Sequence, residues 1–443
     1  MAKDIENEIL RNSLKYTLFE WRKQSDFNPL NIDKAEGVYL IDHNKNKILD
    51  FSSGLINVNI GHGDKRVTDA VVEQMNKVSY VNPSTITQVR GELGKKLSQI
   101  CPGNLNKSFF TICGATGIEN AIKLARIYTG RHKILTRYRS YHGSTMGAMS
   151  AGGDPRKLRV DSQMGPNFIH LEIPYAYRST GDDWEQNSFD HLDRILEYEG
   201  PENFAAIIME GESGSSGCLK LPSGYFKKLR DVCNKYGILL IADEVMSGFG
   251  RTGEWFGINN HEVVPDIMVM AKGITSGYLP FGAVQVSDSI ASYFDEKELM
   301  IGLTYSAHPV SCAAALRVIS IYEEDNLINN AKKMGEYLQK QVLKMKSDHP
   351  SIGDYRNTGL LGCIELVKSK KTKEPIVSFH AKSKELNIIN QIKLKTSELG
   401  MNVFIKGNYI FIAPPLCINT SQIDDGLNIL SEALKISDKV CHD

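Results

Sequence analysis

The chain has 443 residues, 42% hydrophobic and 23% charged, and its 52 Lys plus Arg balance 52 Asp plus Glu. That length accommodates two domains, or one large α/β domain with a smaller companion. A formal net charge of zero gives no global field for nucleic acid or for an anionic membrane surface.

The opening segment, MAKDIENEILRNSLKYTLFEW, mixes charges throughout and lacks the apolar centre of a signal peptide. No run of 18 apolar residues occurs, so no span is expected and the expected location is cytoplasmic. The eight cysteines (Cys101, Cys113, Cys218, Cys233, Cys312, Cys363, Cys417 and Cys441) are scattered without a CxxC pair. They read as reduced thiols, with neither a disulfide framework nor a metal site.

Along the chain, Val38–Phe51 reads as a short hairpin turning at Asp42–Lys47. Ser108–Cys113 (SFFTIC) reads as a buried strand, Gly114-Ala115-Thr116-Gly117 as a tight turn and Ile118–Tyr128 as a helix. Further strands are expected at Lys133–Thr136, Phe168–Leu171, Ala205–Glu210, Ile238–Asp243 and Ile267–Ala271. Between them, Tyr225–Tyr236 places Phe226, Leu229, Val232 and Cys233 on one helical face. Such alternation predicts an α/β fold, a mostly parallel sheet covered by helices on both faces. From about Ser311 a long helical region follows, then strands at Gly362–Val367 and Tyr409–Ile412. The expected organisation is a large domain over 66–310 and a smaller α+β domain built from 1–65 and 311–443.

Three apolar runs end on groups that a sheet interior does not tolerate: AAIIM-Glu210, ILLIA-Asp243 and IMVMA-Lys272. Ligands of open α/β sheets gather beyond the carboxyl ends of the strands, which brings these side chains toward one cleft. Any one of them alone reads more readily as a surface strand cap; the three together weaken that explanation. A partly desolvated lysine among glycines is the residue type that forms Schiff bases with carbonyl compounds. Asp243 would then face a pyridine nitrogen, and the helix start after Gly114 would suit a phosphate dianion. Gly248-Phe249-Gly250-Arg251-Thr252-Gly253 matches G-x-G-x-x-G, but Asp243–Ser247 separate it from its strand and no obvious helix follows. It is therefore not read as a dinucleotide site.

The ordered segments Asn59-Ile-Gly-His-Gly63, Gly114–Arg126, Tyr141-His-Gly-Ser-Thr145, Leu239–Val245 with Gly248–Gly253, Ala271-Lys-Gly273 through Pro280, Thr304-Tyr305 and Ala413-Pro-Pro-Leu416 together resemble the class III (ω-amino acid) aminotransferases. These are fold type I enzymes dependent on pyridoxal 5′-phosphate (PLP). The resemblance implies that Lys272 is the Schiff-base lysine and proton shuttle, and that Asp243 is the ring-nitrogen partner. It implies Gly114 and Ala115 at the phosphate, and Tyr141 and Val245 on the two ring faces. His142 and Glu210 join the cofactor site, and Thr304 reaches the phosphate of a neighbouring subunit. A homodimer or dimer of dimers follows, with a small amine and a 2-oxo acid as substrates.

The chain departs from the family pattern at four positions: Met246 replaces a glutamine, and Ser144, Phe411 and Phe404 replace arginines of related enzymes. Glu210 is thereby expected to lack its usual arginine partner. Phe51–His62, Arg137–Gly143, Gly153–Arg156 and Ala413–Cys417 resemble the taurine transaminase subgroup most. A taurine pocket needs cationic or N–H donors placed two carbons from the amine, and Arg139, Arg178 and Lys406 are the candidate cations. The alternatives are a class III aminomutase or racemase, and a non-catalytic relative that retains the fold.

Overall fold

A computed structural model of the chain describes residues 2–27, 29–160, 165–179, 183–382 and 384–442. Its centre is a seven-stranded sheet in the order Leu105–Thr111, Gly282–Ser287, Ile267–Met270, Leu239–Asp243, Phe204–Glu210, Lys133–Arg137, Phe168–Leu171. Gly282–Ser287 runs antiparallel to both neighbours, and the other paired strands are parallel. Side chains on successive residues of a strand point to opposite faces, and both faces are buried here. Ile207, Met209, Leu240, Ala242, Met268 and Met270 enter one core, whereas Ile208, Ile241, Ile267 and Val269 enter the other. A sheet covered on both sides is the physical reason these strands read as continuous apolar runs.

The Tyr225–Tyr236 helix buries Phe226, Leu229, Val232 and Cys233 as its spacing predicts, and ends where Gly237 turns left-handed at φ 62°. Two expectations need correction. The strand before Gly114 spans Leu105–Thr111, and Gly114–Gly117 is no separate turn: it opens the helix Gly114–Thr129. The Gly117 N–H closes that first turn onto the Cys113 carbonyl at 3.0 Å.

Two smaller sheets flank the centre. One joins Ile32–Glu36, Tyr39–Asp42 and Lys47–Asp50 to Met401–Asn402; the other contains Ile352–Thr358, Leu361–Leu366, Tyr409–Ile412 and Phe404–Lys406. Met401–Asn402 pairs in parallel with Leu49–Asp50, so residues about 350 positions apart share one sheet. No helix among the described residues is long and apolar enough to cross a membrane.

The G-x-G-x-x-G segment serves this assembly. Arg251 is fully buried and donates to Leu360 O (3.1 Å), Pro414 O (2.6 Å), Ser53 Oγ (3.0 Å) and Asn59 Oδ1 (2.8 Å). It pins early and late parts of the chain to the large sheet. Burial lowers its pKa to about 10, and no helix begins at Gly253.

Candidate active site

The carboxyl ends of neighbouring strands bring the three predicted polar groups to one edge. Glu210 and Asp243 are register partners, Asp243 pairs with Val269, and Lys272 follows two residues after that strand ends. Asp243 is buried. Its Oδ2 meets His142 Nδ1 at 2.6 Å, and its Oδ1 accepts from the Val245 N–H at 3.0 Å. Both contacts fix the direction in which the carboxylate faces the cleft.

Lys272 begins a short turn with φ at 48°, a left-handed conformation that costs a non-glycine residue about 1–2 kcal/mol. Its ammonium forms no hydrogen bond or ion pair among the described residues. Burial lowers its pKa to about 8, despite the opposing charges of Asp243 and Glu210. A lysine in that range shares its proton readily near neutral pH, as a proton carrier must.

Beside it, the Gly114–Thr129 helix presents the Gly114 and Ala115 N–H groups, which have no intrahelical acceptor. A Cβ on Gly114 would lie 2.8 Å from Val245 Cγ2, so only glycine lets the helix start and Val245 approach this closely. Tyr141 lies in the loop after the Lys133–Arg137 strand, with the Arg156 guanidinium 3.9 Å from its ring centroid. Thr304 is exposed, and its carbonyl accepts from Tyr80 Oη at 3.0 Å.

Glu210 does not lack an arginine. Arg137, from the adjacent strand, donates to it within the buried edge. An arginine on a core strand thus replaces the one missing downstream. The Nε and Nη1 of Arg137 and the Nε2 of His142 are buried without a partner among the described residues, a polar surplus that a bound polar molecule can satisfy.

Arg178 is engaged by Glu365, at 2.6 Å. Lys406 grips Asp154, which also holds Arg156 at 2.8 Å. Arg139 donates to Tyr409 Oη at 2.5 Å and lies over the rings of Tyr175, Phe379 and Tyr409. Arg156 was absent from the cations expected in the pocket, although the Gly153–Arg156 segment offered the signal. Met246, Phe404 and Phe411 belong to a single apolar cluster with Ile56 and Tyr409. The Phe404 and Phe411 rings are 5.0 Å apart, and Phe411 is fully buried, so three of the four departures are one packing feature. Ser144, the fourth, is exposed.

These groups suit PLP: an unpartnered lysine for its aldehyde, free helix-start N–H groups for its phosphate, and a fixed carboxylate for its ring nitrogen.

Known proteins agree. The Aminotransferase class-III family matches residues 21–434. The putrescine–pyruvate aminotransferase of Pseudomonas aeruginosa is 35% identical over 431 residues, covering 93% of this chain and 92% of that protein. The taurine:2-oxoglutarate aminotransferase of Bifidobacterium kashiwanohense, solved with PLP and glutamate, is 37% identical with a TM-score of 0.94 over 98% of both chains. An (S)-enantioselective ω-transaminase of Thermomicrobium roseum is 37% identical with a TM-score of 0.92, covering 97% of this chain and 98% of that one. The chain is a PLP-dependent enzyme belonging to the class III aminotransferases.

Proposed function

We propose that this aminotransferase takes its amino group from an ω-amine with an acidic tail, taurine first and β-alanine second. It passes that group to a 2-oxo acid, pyruvate or 2-oxoglutarate, in a ping-pong cycle. The carrying observation is a surplus of cations beside the lysine. Arg156 and Lys406 share a single carboxylate, Asp154, Arg139 lies near enough to Lys406 to depress its pKa, and Arg156 is close enough to depress the Lys272 pKa.

Bound PLP supplies the carbonyl that receives the amino group and the ring that takes up electron density from the reacting carbon. Lys272 Nζ moves the proton, and Asp243, steadied by His142, supplies the negative charge at the ring nitrogen. The Gly114 and Ala115 N–H groups hold the phosphate, with Tyr141 and Val245 flanking the ring. Arg137 neutralises Glu210 at the same edge. The distal ammonium of a diamine such as putrescine would meet the cationic surplus, whereas a sulfonate or carboxylate is attracted by it. Single-turnover spectra with a donor panel test this: taurine and β-alanine are expected to react faster than putrescine, L-glutamate and L-ornithine. Rapid reaction with L-glutamate or L-ornithine and none with taurine or β-alanine contradicts the donor class.

The working form is proposed to be at least a homodimer, with Thr304 reaching the phosphate bound by the neighbouring subunit. Exposed Tyr80 and Tyr305, with ring centroids 5.9 Å apart beside Thr304, suit such a contact. Thr304→Ala is expected to weaken PLP retention by about 1.5–3 kcal/mol, the worth of one hydrogen bond to a charged group. A fully PLP-loaded monomer in sedimentation contradicts the placement.

A further inference from the structure

The cation cluster contains one group whose position is at odds with a simple anion pocket. Asp154 is buried, with only 4% of its side chain exposed, and it lies between Arg156 and Lys406. Its Oδ1 accepts from Arg156 Nε at 2.8 Å and its Oδ2 from Arg156 Nη2 at 3.1 Å, while Lys406 Nζ reaches Oδ2. Burial acts to raise the Asp154 pKa, but Arg156 and Lys406 overcome it and hold it at about 2. Asp154 is therefore a carboxylate at any working pH.

The backbone holds it in place. Asp154 Oδ1 also accepts from the Arg156 N–H at 2.9 Å, capping the Pro155–Arg159 turn. The cations have more freedom: the Arg156 and Lys406 side chains remain 31% and 32% exposed. Arg139 stands alongside without an acidic partner among the described residues, and its Nε is buried and unbonded. The Ser215 hydroxyl is likewise buried and unbonded, while the carbonyl of the same residue accepts from Lys406 at 3.4 Å. Two cations grip one carboxylate with a third alongside, and two buried donors have no acceptor among the described residues.

We infer that Asp154 is an internal stand-in for the acidic group of the substrate: it neutralises Arg156 and Lys406 in the resting site, and the sulfonate or carboxylate of a substrate shares or displaces it. This rests on the acidic-tail reading above and adds a specificity-determining residue to it. The fixed carboxylate lowers anion affinity below what Arg156 and Lys406 would give without it. The stationary partner is the internal acid, and Lys406 is the group that turns toward the incoming anion. Bond making is confined to hydrogen bonds and ion pairs, with no change in covalent structure.

The test uses the PLP-loaded enzyme and ethanesulfonate, which carries the sulfonate of taurine but no amine. In Asp154→Asn the turn-capping oxygen is kept and the negative charge is removed. Competitive inhibition by ethanesulfonate is expected to tighten by about tenfold, the size of one modest charge interaction. The taurine KM should fall in parallel, while n-propylamine, which has no acidic group, shares none of the gain. A purely structural role predicts weaker binding of every ligand, so unchanged or weaker ethanesulfonate inhibition overturns the inference. If Asp154→Asn does not fold, Lys406→Met gives the reciprocal reading. Loss of ethanesulfonate inhibition by tenfold or more supports the inference, and an unchanged inhibition constant overturns it. The donor reading fails separately: wild-type enzyme that turns over only uncharged amines, yet binds ethanesulfonate more tightly as Asp154→Asn, retains the subsite for the acceptor alone.

Discussion

Lys272→Ala is expected to abolish the visible absorbance of PLP-loaded protein and to lower turnover by on the order of 10⁴-fold or more, with the fold intact. A positioned acid–base group contributes about 10²–10⁴-fold by itself, and this residue is also proposed as the covalent anchor. Among the cations at the strand ends, Arg137 is engaged by Glu210, whereas Lys272 has no partner among the described residues and a pKa lowered to about 8 by burial. The neutral amine is the form that attacks a carbonyl, so PLP uptake by the apoprotein should accelerate as pH rises through about 8. The same shift has a stability consequence. The folded lysine releases its proton near pH 8, and the unfolded one near its ordinary 10.5. The unfolded chain therefore binds more protons between those values, and the penalty of the buried ammonium disappears as pH climbs across that window. Thermal melts of the apoprotein should show wild type gaining stability relative to Lys272→Ala between pH 8 and 10.5. Wild-type turnover by the alanine variant contradicts the proposed role.

Asp243→Asn is expected to retain the fold and most PLP binding while lowering kcat by about 10²- to 10⁴-fold. Removing one partner of a buried charge pair costs about 3–5 kcal/mol, and each 1.36 kcal/mol is a tenfold change in rate. The amide keeps the acceptor for the Val245 N–H, but it removes the negative charge that the His142 contact fixes in place. A second consequence separates this from general damage. Asp243 raises the Lys272 pKa against the pull of burial, so its neutralisation should move the pH dependence of PLP uptake below that of wild type. Pre-steady-state kinetics with taurine and a pH series of uptake rates measure both effects. Wild-type kcat in the variant contradicts the ring-nitrogen role.

Parts of this architecture are readable without coordinates because they obey one rule at a time. Phe204–Glu210 and Leu239–Asp243 are wholly buried strands, and an apolar run ending on a charge announces both the strand and its exit toward a cleft. The Tyr225–Tyr236 helix shows in its spacing, and the misplaced context of Gly248–Gly253 removes the nucleotide explanation. Gly282–Ser287 is different. Its central Gln285 is fully buried and donates to Leu105 O at 2.8 Å, so a polar residue interrupts the pattern that marks its neighbours. The start of the Gly114–Thr129 helix is likewise hidden, because two glycines resemble a turn until the backbone bonds are known.

The family, the cofactor and the three charged strand ends are legible from the residues alone, since each depends on chemistry that is local. Which charges meet is settled by folding. Arg137 lies 73 positions from Glu210, and Lys406 lies 252 positions from Asp154, while Arg178 turns to Glu365, 187 positions on. Nothing in the spacing of such residues specifies their partners. Pairing across the molecule follows from strand order and from the docking of the C-terminal sheet against the large one. That packing brings Arg156 and Lys406 onto Asp154 with Arg139 alongside Lys406, and it fills the place of the absent arginines with Phe404 and Phe411.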